Sequence, residues 1–166
     1  MGSGKSSIAK ILQTKLNWPV KDTDEMIEKK VGKSISEIFK QEGEEKFRDY
    51  ETQILKELKD EDLCIVSTGG GIIEKERNHL LLKNNSVVFY LKTTPENILK
   101  FTAKDNNRPL LQVNNPLELI TEKLNKRIPI YLKLGEYQIE TFSQSIEDSA
   151  NEIVNYLKLK PPFNCC

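Results

Sequence analysis

Gly2-Ser3-Gly4-Lys5-Ser6 is the stretch that decides how this chain folds. Its last three residues fill the final places of the phosphate-binding motif G-x-x-x-x-G-K-[ST], and apolar residues at helical spacing follow over residues 8–16. In such a loop, successive backbone N–H groups and a helix N-terminus face phosphate oxygens. The stretch therefore predicts a nucleotide phosphate loop, although a glycine- and serine-rich expression scar could begin in the same way.

The composition of the chain bounds its partners. The 166 residues include 25 Lys plus Arg and 25 Asp plus Glu, with no long uncharged apolar run. We expect a cytoplasmic monomer that binds small molecules rather than nucleic acid or a membrane. One domain over residues 1–158 and a tail over residues 159–166 fit this length. Cys64 is expected to lie buried in a strand, and the two C-terminal cysteines have no predicted role.

Apolar segments of two kinds alternate along the chain, which indicates an α/β fold with a parallel sheet covered by helices on both faces, a three-layer arrangement. Residues 63–67 and 86–91 have the continuous apolar character of buried parallel strands. Weaker candidates cover residues 18–21 and 137–141. Helical patterns cover residues 4–16, 42–58, 95–103, 116–132 and 145–157, with helix-start signals at Ser34 to Glu37 and at Thr94-Pro95.

Two further features follow the first helix along the chain. Asp22 and Asp24 end a candidate strand; if the strand continues, both carboxylates face one cleft, where one could assist Mg²⁺ and the other accept a proton. Acidic pairs of this kind are also common as helix caps. Residues 104–115 are polar, rich in Asn and interrupted by Pro109, which is typical of a mobile flap.

A helical pair and a glycine run suggest a site for a small acid. Arg48 and Glu51 lie three residues apart, so the carboxylate can fix a guanidinium that binds a substrate carboxylate, although surface pairs of this kind are common. Gly69, Gly70 and Gly71 end a predicted buried strand. Three glycines there are best explained by close approach of a ligand to the main chain.

Taken together, these motifs resemble the shikimate kinase family of P-loop small-molecule kinases. The resemblance covers residues 1 to about 157 and rests on order and spacing. Its motifs are G-x-G-K-S (2–6), D-x-D (22–24), F-R-x-x-E (47–51), G-G-G (69–71), R-P-L-L (108–111) and R-x-P-x-Y (127–131).

The resemblance implies ATP-dependent phosphorylation of the 3-hydroxyl of shikimate. It implies that the glycine-rich loop and the arginine of the flap bind the phosphates of ATP, and that one hydroxyl and one carboxylate bind Mg²⁺. It also implies that an aspartate is the catalytic base and that two arginines and the glycine run bind shikimate. The nucleotide residues it implies are Gly2, Ser3, Gly4, Lys5, Ser6, Ser7 and Arg108, with Ser6 and Asp22 at the metal. The implied substrate residues are Asp24 (also the base), Arg48, Gly69, Gly70, Gly71 and Arg127, with Glu51 orienting Arg48; Lys5, Asp24 and Arg108 are the catalytic set.

The chain departs from the family at two places. Phe101 stands where the family usually has an arginine against adenine; Phe101 could stack on the base or return to the core, and the helical apolar pattern slightly favours the core. Family members also have a central strand and the first P-loop glycine before this point. A truncation, a misassigned start or a fold with a gap in the sheet would each account for this, and we expect weak or no activity as given.

Two other functions remain open from the sequence. One is another P-loop small-molecule kinase, acting on gluconate or a nucleoside monophosphate. The other is a relative that binds nucleotide without turnover, for which the absent strand is the main argument. The arginine pair and the glycine run favour shikimate.

Overall fold

A computed structural model describes residues 2–84, 86–102 and 115–160 of the chain. The α-helices of this part are α1 (Lys5–Leu16), α2 (Thr23–Val31), α3 (Ile35–Gln41), α4 (Gly43–Leu58), α5 (Arg77–Lys83), α6 (Pro95–Thr102), α7 (Pro116–Leu134) and α8 (Ile146–Leu159). Its strands are β1 (Val20–Asp22), β2 (Ile65–Ser67), β3 (Phe89–Lys92) and β4 (Tyr137–Glu140), and a short 3₁₀ helix covers Ile72–Glu74.

Helix starts follow the capping signals of the sequence. Ser34 accepts a hydrogen bond from the Glu37 amide at 3.3 Å, and the Glu37 carboxylate accepts one from the Ser34 amide at 2.8 Å. Thr94 accepts a hydrogen bond from the amide of Asn97 at 3.3 Å. These bonds satisfy amide groups that the first turn of a helix leaves without partners. Both predicted starts are confirmed.

The strands form two parallel pairs. β1 pairs with β2 and β3 pairs with β4, and within the described ranges these are two separate two-stranded sheets. The prediction of parallel strands is confirmed. Pairing of β1 with β2 begins where the Ile65 amide donates to the Pro19 carbonyl at 2.8 Å, and Pro19 has no N–H to extend it. The strand predicted over residues 63–67 therefore starts only at Ile65.

A gap separates β2 from β3. A cavity of about 110 Å³ lies between Thr68 and Gly69, which follow β2, and Phe89 and Leu91 of β3. Within the described ranges, the edges of β2 and β3 that face this gap have no partner strand.

Helix α1 connects the two strand pairs. Its buried residues Ile8 and Leu12 belong to a core cluster against which Ile65 of β2 and Phe89 of β3 both pack. Each fully buried aliphatic side chain of this kind contributes about 1.5–3 kcal/mol. The packing of α1 therefore holds the phosphate loop, which directly precedes it, close to both strand pairs.

Cys64 was expected buried in a strand, but it is half-buried and precedes β2, because the parallel pairing starts one residue later. No helix of the described ranges is both long enough and apolar enough to cross a membrane.

Candidate active site

The predicted phosphate loop is formed by residues 2–6 and leads into α1. Gly4 has φ 79° and precedes the first helical residue, Lys5. Gly2 has φ 60°, and a Cβ atom there would stand 2.9 Å from the Ile98 Cα. Both positions therefore require glycine. The Lys5 ammonium donates to the Ser3 hydroxyl at 3.4 Å, so the lysine side chain lies along the loop.

The loop opens into a cavity of about 390 Å³. This cavity brings together residues from several segments that the sequence assigned to one site. They are Gly2, Ser3, Gly4, Lys5, Ser6, Ser7, Asp22, Asp24, Gly69 and Gly70, and Phe101, Thr141 and Ile146 line it too. The volume suits a small ligand and is within the usual range for binding pockets.

Asp22 and Asp24 reach this cavity by a different geometry from the one predicted. The strand does not continue through Asp24: β1 ends at Asp22, and α2 begins at Thr23. The Asp22 carboxylate accepts a hydrogen bond from the Asp24 amide at 3.0 Å and so caps α2. Asp24 lies in the first turn, where the helix dipole favours an anion. The helix cap, rather than strand alternation, places both carboxylates in the cavity.

The oxygen donors beside the loop fit a magnesium ion. Ser6 and Asp22 line the same cavity and offer a hydroxyl and a carboxylate. Across the described ranges, no three His, Cys, Asp or Glu residues cluster as a metal cage. Mg²⁺ usually takes one or two protein oxygens together with phosphate oxygens and water, so two donors beside a phosphate loop suffice.

Arg48 of α4 is buried among three carboxylates. Its side chain is 7% exposed, with Nη1 at 2.9 Å from Glu51, Nη2 at 2.6 Å from Glu44 and Nε at 2.9 Å from Glu74. Burial disfavours the cation, but these carboxylates outweigh it and raise the pKa of Arg48 above its usual value. The Arg48–Glu51 contact predicted from the i, i+3 spacing is present.

Glu51 is fully buried at the base of this cluster. Burial raises its pKa to about 7, the charges of Asp24 and Glu74 act in the same direction, and Arg48 opposes them. One Glu51 oxygen accepts a hydrogen bond from Arg48, and the other has no hydrogen-bond partner among the described residues. The Arg48 guanidinium is thus hydrogen-bonded to a fully buried ionisable group.

Arg127 of α7 meets the same cluster from the opposite side. Its Nε and Nη2 donate to Oε1 of Glu74 at 2.9 and 2.5 Å, while Oε2 of Glu74 faces Arg48. The two arginines are 79 positions apart in the sequence, yet they converge on one carboxylate. The structure therefore contains a position where an anion contacts both guanidinium groups.

The triple glycine fits closely against these side chains. A Cβ atom at Gly71 would stand 2.4 Å from both terminal nitrogens of Arg48. At Gly69, a Cβ atom would stand 3.1 Å from Asp24 Oδ1 and 3.2 Å from Glu51 Oε1. Because glycine has no side chain, Arg48 lies directly against the backbone of Gly71, and the carboxylates of Asp24 and Glu51 lie against that of Gly69. Gly69 and Gly70 line the cavity, so the arginine cluster adjoins the phosphate loop.

The sequence did not predict several residues that form hydrogen bonds around the glycine run at residues 69–71. The Tyr131 hydroxyl donates to the Gly70 carbonyl at 2.5 Å, and the fully buried Asn78 donates to the Ile72 carbonyl and accepts from Thr52, both at 2.8 Å. Tyr131 belonged to a recognised motif, but its role was not assigned. Asn78 and Glu74 carried no local signal, because their partners lie on other elements.

Two further sequence predictions concern Arg108 and Phe101. Arg108 and nearly all of the flap at residues 104–115 lie outside the described residues. Phe101 does not return to the core: it is 62% exposed and lines the cavity of the phosphate loop. The core expectation was wrong, because the apolar face of α6 that is buried is the one bearing Ile98.

Comparisons with known proteins identify the family of this chain. The family model for shikimate kinase matches residues 1–158. The chain belongs to the shikimate kinase family. A shikimate kinase of Thioalkalivibrio sulfidiphilus is 40% identical over 159 residues, which are 96% of this chain and 84% of that protein. One of Thermodesulfovibrio yellowstonii is 40% identical over 93% of this chain and 88% of that protein.

Solved structures of shikimate kinases extend the likeness to three dimensions. That of Acinetobacter baumannii, solved in complex with shikimate, is 39% identical, covers 96% of this chain and 91% of that chain, and has a TM-score of 0.91. That of Aquifex aeolicus is 30% identical over 95% of this chain and 92% of that chain, with a TM-score of 0.79. The shikimate kinase fold is therefore shared by this chain.

Proposed function

We propose that this chain transfers the γ-phosphoryl group of ATP to the 3-hydroxyl of shikimate, giving shikimate 3-phosphate and ADP. One observation carries the proposal: Arg48 and Arg127 converge on a single carboxylate, and Arg48 lies against Gly71, which follows the Gly69 and Gly70 that line the phosphate-loop cavity. Two guanidinium groups around one anion position suit a small organic acid such as shikimate. A related protein from Acinetobacter baumannii has been solved with shikimate bound.

The nucleotide half of the site is the loop of residues 2–7. Its backbone amides and Lys5 would hold the phosphates, and Ser6 and Asp22 would hold Mg²⁺, which neutralises phosphate charge when bound. Phosphoryl transfer asks a protein mainly for positioning and positive charge near the moving group. Arg108, outside the described residues, is proposed to add its charge from the flap.

The acceptor half of the site would adjoin this cavity at Asp24, Gly69 and Gly70, while Arg48, Gly71 and Arg127 are not among the residues that line it. Arg48 and Arg127 would hold the carboxylate of shikimate, and Gly69 to Gly71 would contact its ring through the backbone. The 3-hydroxyl oxygen then forms a bond to the γ-phosphorus as the bond from that phosphorus to the β-phosphate oxygen breaks. Asp24, which lines the cavity, would accept the hydroxyl proton.

The experiment that tests this function is direct detection of the product. The purified chain is incubated with ATP and Mg²⁺, and separately with shikimate, gluconate and nucleoside monophosphates as acceptors. Phosphorylated product is identified by mass spectrometry, which registers even slow turnover. We expect product with shikimate alone. Phosphorylation of another acceptor, or ATP binding without transfer to any of them, would contradict the proposal.

We further infer a cytoplasmic enzyme, because ATP is available as a substrate there. The chain has 25 basic and 25 acidic residues, so no excess charge would attract nucleic acid or a membrane surface, and we infer a monomer that binds neither. Elution of the purified chain at the size expected for 19.1 kDa would support the monomer.

A further inference from the structure

The Glu74 carboxylate lies between the two arginines proposed to bind the substrate. Its Oε1 accepts from Nε and Nη2 of Arg127 at 2.9 and 2.5 Å, and its Oε2 lies 2.9 Å from Nε of Arg48. One carboxylate oxygen thus faces each guanidinium group. A small organic acid bound between the two arginines would use the same arrangement.

We propose that Glu74 is an internal competitor of the substrate: its carboxylate occupies the anion position between Arg48 and Arg127 and must be exchanged for the carboxylate of the incoming acid. This inference rests on the proposed function, because it takes that position as the one for the carboxylate of shikimate. It adds that the free enzyme holds a carboxylate of its own there.

Among the carboxylates around Arg48, Glu74 is the one suited to exchange. Glu51 is fully buried and holds Nη1, and Glu44 contacts Nη2 from the same helix without reaching Arg127 in the described contacts. The Glu74 side chain is 36% exposed and ends the short 3₁₀ helix, where its amide donates to the Gly71 carbonyl. Rotation of this side chain alone would vacate the shared position and leave the Glu51 contact in place.

Charge makes the exchange compulsory. Burial tends to raise the pKa of Glu74, but the hydrogen bond and charge of Arg127, with Arg48 and Lys123, outweigh it and hold this pKa below its usual value. Glu74 is therefore an anion at neutral pH. Two carboxylates at one position repel each other, so a substrate acid binds only as Glu74 leaves. Lys123, one turn before Arg127 on α7, offers the displaced carboxylate another cation.

The test compares shikimate binding to the full chain and to Glu74→Gln by calorimetry. Gln keeps the shape of the side chain but removes the competing charge. We expect the dissociation constant for shikimate to fall about tenfold in Glu74→Gln. An unchanged or weaker affinity for shikimate would overturn the proposal.

Glu44→Gln is the matched control, since it removes a carboxylate from Arg48 but not from the shared position. The exchange predicts no comparable gain there, and an equal gain would mean that only the net charge matters. Thermal unfolding with and without shikimate gives a second readout if Glu74→Gln is less stable. Its melting temperature should rise more on adding shikimate than that of the unmodified chain, and a smaller rise would overturn the exchange.

The outcomes separate this inference from the proposed function. Shikimate affinity that improves in Glu74→Gln while no phosphorylated product forms would support the exchange and overturn the function. Phosphorylation of shikimate with no gain of affinity in Glu74→Gln would support the function and overturn the exchange. Absence of shikimate binding by both proteins would overturn both.

Discussion

Gly71 leaves no room for a side chain beside Arg48: a Cβ atom at residue 71 would stand 2.4 Å from both Nη1 and Nη2 of that arginine. The Arg48 guanidinium cannot simply move aside, because Nη1 and Nη2 donate to Glu51 and Glu44, and the Glu74 carboxylate lies 2.9 Å from Nε. The absence of a side chain at Gly71 is therefore what allows the arginine to occupy its position.

We predict that Gly71→Ala displaces the Arg48 guanidinium and weakens shikimate binding at least tenfold. The added methyl group would overlap the guanidinium, and loss of one charged hydrogen bond costs about 1.5–3 kcal/mol. Calorimetric titration with shikimate measures the effect. Gly32→Ala is the control: Gly32 has φ 72° but no atom within 4 Å of a Cβ, so it should lose about 1 kcal/mol of stability without losing affinity. Equal affinities for Gly71→Ala and the unmodified chain would contradict the prediction.

Arg48→Ala and Arg127→Ala should each raise the Michaelis constant for shikimate at least tenfold. Each change removes charged hydrogen bonds to the substrate carboxylate, worth about 1.5–3 kcal/mol. Lys126→Ala controls for a lost positive charge, since Lys126 neighbours Arg127 but is 74% exposed and pairs with Glu122. An unchanged constant for Arg48→Ala would remove Arg48 from the proposed carboxylate site.

The raised pKa of Glu51 predicts a pH dependence of folding stability. A carboxyl group whose pKa is higher in the folded state than in the unfolded chain binds its proton more tightly when folded. For Glu51 the pKa rises from 4.5 to about 7. Its contribution to stability is therefore most favourable below pH 4.5 and is lost as the pH rises to about 7.

Glu51→Gln should flatten the stability profile between pH 5 and pH 7. Denaturant unfolding at several pH values measures the free energy of unfolding for both proteins, and the difference between their slopes isolates Glu51. Each pKa unit corresponds to about 1.4 kcal/mol. Glu44→Gln, which changes a more exposed carboxylate on the same arginine, is the matched control for loss of a carboxylate beside Arg48. Parallel profiles for Glu51→Gln and the unmodified chain would show that Glu51 is ionised throughout.

Local patterns in the sequence predicted most of the fold. Gly4 and the apolar spacing of residues 8–16 predicted the glycine turn that leads into α1, and the apolar runs located β2 and β3 to within a few residues. The strand continuation through Asp24 was wrong, because Asp22 is a helix cap. The run Asp22-Thr23-Asp24-Glu25 carries that signal, since acidic residues and a capping side chain are typical of a helix N-terminus.

Long-range contacts explain what the sequence could not predict. Glu74 stands in the run Ile72-Ile73-Glu74-Lys75, where a charged residue normally faces solvent. Its position between Arg48 and Arg127 depends on α4, α7 and the 3₁₀ helix meeting in space, which no local pattern encodes. The family resemblance identified both arginines, but not the carboxylate between them.

Phe101 is predicted to contact the adenine of ATP. Its side chain is 62% exposed and lines the phosphate-loop cavity with Thr141 and Ile146, so an apolar surface faces the space next to the loop. Stacking of a base on an aromatic ring contributes about 1–3 kcal/mol. Phe101→Ala should therefore weaken ADP binding about tenfold in calorimetry, with little change in the affinity for shikimate.

Leu80→Ala is the control for this prediction. Leu80 is also an exposed apolar side chain, 71% exposed, but it does not line the cavity, so its removal should change neither affinity. Because Arg stands at this position in the family pattern and also stacks on bases, Phe101→Arg should retain most of the ADP affinity. Equal ADP affinities for Phe101→Ala and the unmodified chain would mean that the base binds elsewhere.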